Sequence, residues 1–325
     1  MPVDRQTPTD ADTVTILLAS YRGARFIRAQ LDSIAAQTHR QWRLIVSDDG
    51  SDDETPRIVA DFAASRPAGQ VSLVRGPGRG ATQNFLHLLT VAPDGPLAFS
   101  DQDDVWFPDK LARALAALSL HQGPAHYAAR TVITDPYLRP LAPSRQFRRP
   151  LGFRNALVQA IMAGNTSVFN GPGAAILRRC VGPAQQHGIE AHDWWAYQIT
   201  AGAGAALIHD PRPALFYRQH PHSVMGRNDT VAALSQRIGR LLAGEYGGWL
   251  RAHHAALDAV RLELRPENRP ILDRFGALLQ GPGPAAAVGM ARLGLYRQTR
   301  AGTAALLAAA LAGRLRQRGP SSPIR

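Results

Sequence analysis

The chain has 325 residues, 45% of them hydrophobic and 19% charged, with a formal net charge of +12 and an isoelectric point near 10.9. That is enough chain for one large or two smaller domains, and the composition excludes a disordered protein. A single cysteine, Cys180, excludes an intrachain disulfide and an all-cysteine zinc site; the expectation is a reducing, cytoplasmic setting with Cys180 buried in the core.

Residues 1–13 are polar, with Pro2, Pro8 and three aspartates, and do not read as a secretory signal. Val14–Ser20 (VTILLAS) is an unbroken β-prone run, the pattern of a strand covered on both faces. Tyr21-Arg22-Gly23 turns the chain into a helix carrying Ile27, Leu31 and Ile34 at helical spacing. A second strand, Trp42–Ser47, ends in Asp48-Asp49-Gly50-Ser51-Asp52-Asp53, after which Thr55-Pro56 opens a helix. Val71–Arg75 is a third strand, Gly76–Gly80 a loop, Thr82–Val91 a helix and Leu97–Ser100 a fourth strand. This alternation predicts an α/β fold, a mostly parallel sheet with helices on both faces, whose ligands bind beyond the carboxyl ends of the strands.

Both acidic clusters, 48–53 and 101–104, fall at that edge. The second follows strand 97–100 directly, in Asp101-Gln102-Asp103-Asp104-Val105-Trp106. Carboxylates crowded at a strand end raise one another's pKa unless a cation compensates, and hard oxygen ligands suit magnesium or manganese sharing their shell with substrate phosphates. The plainer alternative is a solvated turn in which Asp104 or Asp109 caps the helix that follows.

Beyond the helix 110–121 the pattern changes. Thr131–Thr134 reads as a strand, and 139–154, with five arginines, three prolines and no acid, as a mobile basic loop. Residues 156–163 look helical, 165–177 like two short strands broken by Gly171-Pro172-Gly173, 192 onward like a helix, and 205–208 like a strand. From about Val231 the chain is Ala/Leu/Arg-rich and helical. Residues 231–325 hold fourteen arginines and five acidic residues, so the surplus charge belongs to an appendage rather than to a groove across a nucleic-acid-binding domain. The longest apolar run, 303–313, is about half the roughly 20 residues a bilayer crossing needs.

The segments VTILLASYRG, QLDSIAAQT, LIVSDDGSDDET, FSDQDDVWFPDKL, HDWW and YRQH, in this order, resemble family 2 glycosyltransferases of the GT-A fold, especially bacterial rhamnosyltransferase-like members. The likeness covers 14 to about 226 and extends weakly to GLYRQTRAGT at 294–303. It implies a catalytic domain over 1–226 and a basic helical extension over 227–325. The implied activity is metal-dependent, inverting transfer of a sugar, rhamnose from dTDP-rhamnose, to a cell-surface polysaccharide or lipid-linked saccharide, with Mn2+ or Mg2+ as cofactor. By the same resemblance Asp49 receives the donor base beside Tyr21, Asp101 faces the donor ribose or the metal, and Asp103 is the metal ligand. His220 adds a further metal contact and Arg218 meets the diphosphate bidentately. Asp193 is the base that takes the acceptor proton; His192 stands where relatives carry Glu, and His192, Trp194 and Trp195 form the acceptor site.

Two other functions fit parts of this pattern. A nucleotidyltransferase also brings metal to strand-end carboxylates, but its loop after the first strand carries glycines and a lysine, whereas SYRGARF has no lysine. A nucleic-acid-binding protein is suggested by the isoelectric point alone. The arginine-rich segment 291–325 either lies on an anionic membrane at the cytoplasmic face or packs on the catalytic domain.

Overall fold

The computed structural model describes residues 13–220 and 245–316. The expectations for the first residues, for the boundary at 226/227 and for the chain end after 316 lie outside them.

The first half of the chain is the expected alternation: β1 (Val14–Ser20), α1 (Ile27–Ala35), β2 (Trp42–Asp48), α2 (Thr55–Ala64), β3 (Val71–Arg75), α3 (Ala81–Val91) and β4 (Leu97–Ser100). β3, β2, β1 and β4 are neighbours in that order and all parallel, with Ser20 opposite Asp48 and Leu18 opposite Ser100. Every residue of β1 is buried, and alternate residues enter different cores. Ile16 and Leu18 pack with α1, α2 and a later helix, whereas Leu17 and Ala19 pack with α3 on the other face. An unbroken apolar strand is what a two-sided burial requires.

β5 (Val105–Trp106), α4 (Lys110–Leu118), β6 (Ala125–Thr134), β7 (Pro140–Pro143), α5 (Phe153–Ala156), β8 (Val168–Phe169), α6 (Gly171–Gln186), α7 (His192–Gly202) and β9 (Ala206–Arg218) complete the sheet region. The strand order is β3-β2-β1-β4-β8-β6-β9-β5, with β7 paired to β6. β8 runs antiparallel to β4, and β6 and β9 run parallel to each other. Several expectations fail here. Gly171-Pro172-Gly173 opens α6 instead of breaking a strand pair. Residues 157–163 are not helical. The supposed mobile loop contains β7, and the strands foreseen at 131–134 and 205–208 extend to ten and thirteen residues.

Among the described residues four further α-helices follow: α8 (Glu245–Asp258), α9 (Arg269–Gln280), α10 (Gly283–Arg292) and α11 (Arg300–Leu311). Their apolar residues, among them Leu250, Phe275, Met290 and Leu306, belong to the same buried cluster as Leu17, Phe99 and Trp195, as does Leu315 just beyond α11. Of the two expectations for 291–325, the described part packs on the sheet domain: Arg297 donates to the Val158 carbonyl at 2.9 Å, and Gln298 exchanges hydrogen bonds with the backbone of Arg149 at 3.0 and 3.1 Å. Among the described residues no helix is long and apolar enough to cross a membrane.

Candidate active site

β1, β2 and β4 are parallel neighbours, so the turns that follow them share one rim. In the first acidic turn the two leading carboxylates divide the work. Asp48 closes its own turn, accepting from the hydroxyls of Ser20 (3.0 Å) and Ser51 (2.6 Å) and from the Ser51 amide (2.8 Å). Asp49 reaches across to the 76–80 loop and accepts from the amides of Gly78 and Gly80, each at 2.7 Å. Those glycines have φ of +68° and +85°, left-handed values that a side chain resists. Asp53 binds the Thr55 amide (3.0 Å) and hydroxyl (2.5 Å) and the Ala24 amide (3.2 Å), which holds its carboxyl below the usual range despite the opposing cost of burial. Tyr21 lies beside this turn with half of its surface exposed.

The second acidic turn is drawn onto the first by a residue that sequence reasoning passed over. Gln102, the middle position of Asp101-Gln102-Asp103, accepts from the Tyr21 amide and donates to the Tyr21 carbonyl, both at 3.0 Å. The approach needs Gly23, because a Cβ there would lie 2.1 Å from the Gln102 amide oxygen. Asp103 receives His220, whose Nε2 lies 2.7 Å from its carboxylate. Burial, the neighbouring charges of Asp103 and Asp193, and only partial relief from Lys110 push the Asp101 carboxyl up to about 7.

Asp104 is fully buried. It accepts from the Asn165 side-chain amide at 2.7 Å, and burial followed by the charges of Asp103 and Asp101 raises it well above the carboxylate range. Lys110, the chain's only lysine, is buried with its Nζ 3.1 Å from the centre of the Trp106 ring. Burial pushes its pKa well down, against the pull of Asp104 and Asp101. No sequence signal marks Asn165, and Lys110 reads as an ordinary first-turn residue.

Among the described residues no group of three His, Cys, Asp or Glu side chains is arranged to hold a metal by itself. One carboxylate and one imidazole, Asp103 and His220, nevertheless fit a cation that takes its remaining ligands from substrate phosphates. The crowded charge that raises Asp101 is what such a cation would relieve.

Arg218 differs from expectation. It is 5% exposed, and its guanidinium donates to the carbonyls of Asp103 (2.8 Å) and Pro136 (2.5 Å) while covering the Phe26 ring at 4.5 Å. The fork that was to grip a diphosphate braces the backbone of the acidic turn.

The third corner is the start of α7. Asp193 lies in its first turn and accepts from the amides of Gly164 (3.2 Å) and Trp194 (2.7 Å). It is close enough to Asp101 for its charge to raise that carboxyl. The acceptor residues expected beside it are corrected by the structure. Trp195 is wholly buried. Trp194 is 4% exposed, donates to the Ala156 carbonyl at 2.6 Å and stacks on Tyr246; neither ring offers a face to a sugar. His192 stacks on Phe85 at 3.8 Å and abuts Phe99, and burial, outweighing the pull of Asp193, lowers its pKa to about 4. It is a neutral packing residue. α7 is buried from Trp194 to Gly202, and an all-round apolar helix gives no pattern to say which ring faces out.

The profile of the family described as Glycosyl transferase family 2 matches residues 15–181, just over half of the chain, a stretch that includes both acidic turns. The chain is 27% identical over 232 residues to the dTDP-rhamnosyl transferase RfbG of Shigella flexneri, covering 68% of this chain and 78% of that protein. It is 28% identical over 219 residues to an uncharacterized protein of Mycobacterium bovis, of which it spans only 60%. Its fold is similar to that of a mannosyltransferase from Pyrobaculum calidifontis solved with GDP-Man and Mn2+, at a TM-score of 0.52 and 22% identity, over 92% of this chain and 85% of that one. With the expected α/β architecture, its sheet parallel over β1 to β4 and mixed in direction beyond them, and with both acidic turns inside the matched stretch, the chain belongs to glycosyl transferase family 2 of the GT-A fold and is a glycosyltransferase.

Proposed function

We propose that this glycosyltransferase moves rhamnose from dTDP-rhamnose to a saccharide acceptor, lipid-linked or part of a cell-surface polysaccharide, with inversion and with the help of Mn2+ or Mg2+. The observation that carries the reading is the convergence on one rim of the Asp49 turn, the Asp103–His220 pair and Asp193. The choice of sugar is supported by the likeness to the Shigella enzyme.

The residues divide into three tasks. Asp49, with its loop of glycine amides, and Tyr21 form the wall for the nucleoside. Asp103 and His220 would hold the cation against the diphosphate, and the chemistry supplied there is neutralisation of the charge that builds on the departing nucleotide. Asp193 would accept the hydroxyl proton of the acceptor as that oxygen attacks the anomeric carbon from the face opposite the nucleotide. Its two backbone donors keep the carboxylate aimed at the start of α7.

A thermal-shift panel of dTDP-rhamnose, UDP-sugars and GDP-mannose, each with and without manganese, tests donor and metal together. Stabilisation by dTDP-rhamnose that grows with manganese is expected in the wild type and is lost in Asp103→Asn. Asp193→Asn should retain that stabilisation while transfer falls by about 10²–10⁴-fold, the usual worth of a general base. Selective stabilisation by a UDP-sugar would overturn the choice of donor, and near-wild-type turnover in Asp193→Asn would remove the base.

A further inference from the structure

The rim that carries Asp103 continues into a hairpin that no catalytic role accounts for. β6 ends opposite the end of β9, with Thr134 paired to Arg218 and the Gln219 amide donating to the Thr134 carbonyl at 2.9 Å. The turn beyond it, 135–139, therefore stands next to the acidic turn, and Arg218 joins the two through Pro136 and Asp103. The hairpin returns as β7, a short edge strand whose Pro140 and Pro143 lack the donors that would let another strand add to it.

What this hairpin exposes is unusual in kind. Tyr137 is 72% exposed and Leu141 46%, and the Arg139 guanidinium lies 5.5 Å from the Tyr137 ring. Along the returning strand Leu141, Pro143 and Arg145 are exposed, while the intervening Ala142 and Ser144 are partly covered, so the period of two puts the first three on the outer face. Ser144 is pinned by Arg130, and Phe147 turns inward against His209 at 5.2 Å, which leaves Arg148 outside. Arg139 pairs with Asp135 at 2.6 Å, and Arg149 is tied to the Arg297 carbonyl. From 139 to 154 there are five arginines and no acidic residue.

We propose that this hairpin and the segment to Arg148 form a docking face for an anionic lipid bilayer. Arg145 and Arg148 meet headgroup phosphates, and Tyr137 and Leu141 enter the interfacial layer. Clustered arginines supply the attraction to anionic headgroups, and a Tyr ring with a neighbouring leucine suits a layer that is apolar on one side and wet on the other. An edge strand capped by prolines is a poor surface for a protein partner that adds a strand. The placement also brings the catalytic rim to the membrane, where a lipid-linked acceptor would present its saccharide. The docking face itself depends on neither the donor sugar nor the metal. The arginine-rich chain end is a weaker candidate over its described part, because Arg297 and Gln298 are turned into the protein.

The test is co-sedimentation of the full chain with vesicles of phosphatidylglycerol and phosphatidylethanolamine, and with phosphatidylcholine vesicles, at physiological ionic strength. The wild type is expected to partition to the anionic vesicles only. Arg145→Ser with Arg148→Ser should weaken that partition about 25-fold, about fivefold per arginine, with an unchanged melting temperature. Tyr137→Ser with Leu141→Ser should weaken it severalfold, an effect that a soluble anionic saccharide bound to the arginines alone would not produce. Absence of wild-type binding, full binding by the arginine variant, or insensitivity to the Tyr137 and Leu141 changes would each overturn the proposal. Donor-induced thermal shifts on the same variants read the transferase assignment separately.

Discussion

Side chains deep in the fold set its response to acid. His126 sits at the start of β6 with no solvent exposure, its Nδ1 3.0 Å from the Thr200 hydroxyl and its Nε2 3.0 Å from the Ser167 hydroxyl. Burial lowers its pKa to about 3, so between the unfolded value of about 6.5 and about 3 the unfolded chain binds a proton that the folded chain refuses. Stability from this residue is complete above that window and falls with pH by about 1.4 kcal/mol per unit within it. Asp101 acts in the opposite sense: with its carboxyl raised to about 7, the folded state takes up the proton first and loses stability as pH rises through the same region. Comparison of wild type with His126→Gln, whose amide can still meet both hydroxyls, separates the two. Between pH 7 and pH 5, denaturant titrations should show the wild type losing about 2 kcal/mol more than the variant; parallel profiles would mean that His126 takes up its proton without penalty.

Among elements, α6 is the longest that the sequence reading of the sheet region conceals, and its start explains why. The Asn170 side-chain oxygen accepts from the Gly173 amide (3.0 Å) as an N-cap and from the Ala125 amide (2.9 Å) on β6, while its nitrogen donates to the Gly123 carbonyl (2.8 Å). Pro172 sits in the first turn, where its missing N–H costs nothing, and Gly173 is needed because a Cβ would come within 2.7 Å of the Ala125 carbonyl. Glycine and proline that look like breakers are here the opening of a helix. Asn170→Ala removes a cap and two tertiary hydrogen bonds, and should cost about 2 kcal/mol, measured as a lower denaturation midpoint. An unchanged midpoint would show that the helix start is held by packing alone. Residues 157–163 are misread for the converse reason. Their apolar run favours a helix locally, but the Val158 carbonyl takes hydrogen bonds from the Tyr246 hydroxyl and Arg297, and the Gln159 side chain accepts from the Gln298 amide. Those partners lie far along the chain, Tyr246 in α8 and Arg297 and Gln298 in the connection before α11, which no local pattern reveals. By contrast β1 to β4 and the acidic turns are legible because unbroken strands, helices with apolar residues at helical spacing and carboxylates at strand ends are written in neighbouring residues. Gln102 escapes notice since only the bonds it makes to Tyr21, and not its type, give it a role.

At the scale of the whole molecule, the arginine-rich helices look in sequence like an appendage, because their charge differs from that of the rest. Their apolar faces contradict that impression. Leu306 of α11 is wholly buried, in the same cluster as Met290, Phe275, Leu250 and the α7 tryptophans, and that cluster continues through Phe85 and Phe99 to Leu17 on β1. Charge therefore marks the solvent side of these helices while their packing belongs to the sheet, and α7, which carries Asp193 in its first turn, is wedged between the two. Leu306→Ala should destabilise the fold by about 2–5 kcal/mol, the range for truncating a buried leucine. The destabilisation should appear in one transition: far-UV circular dichroism, which follows the helices, and near-UV signals from Trp194 and Trp195 should shift together. If the far-UV change came first, with the tryptophan signal intact at that temperature, residues 245–316 would be a separate folding unit, and Asp193 on α7 would owe nothing to their support.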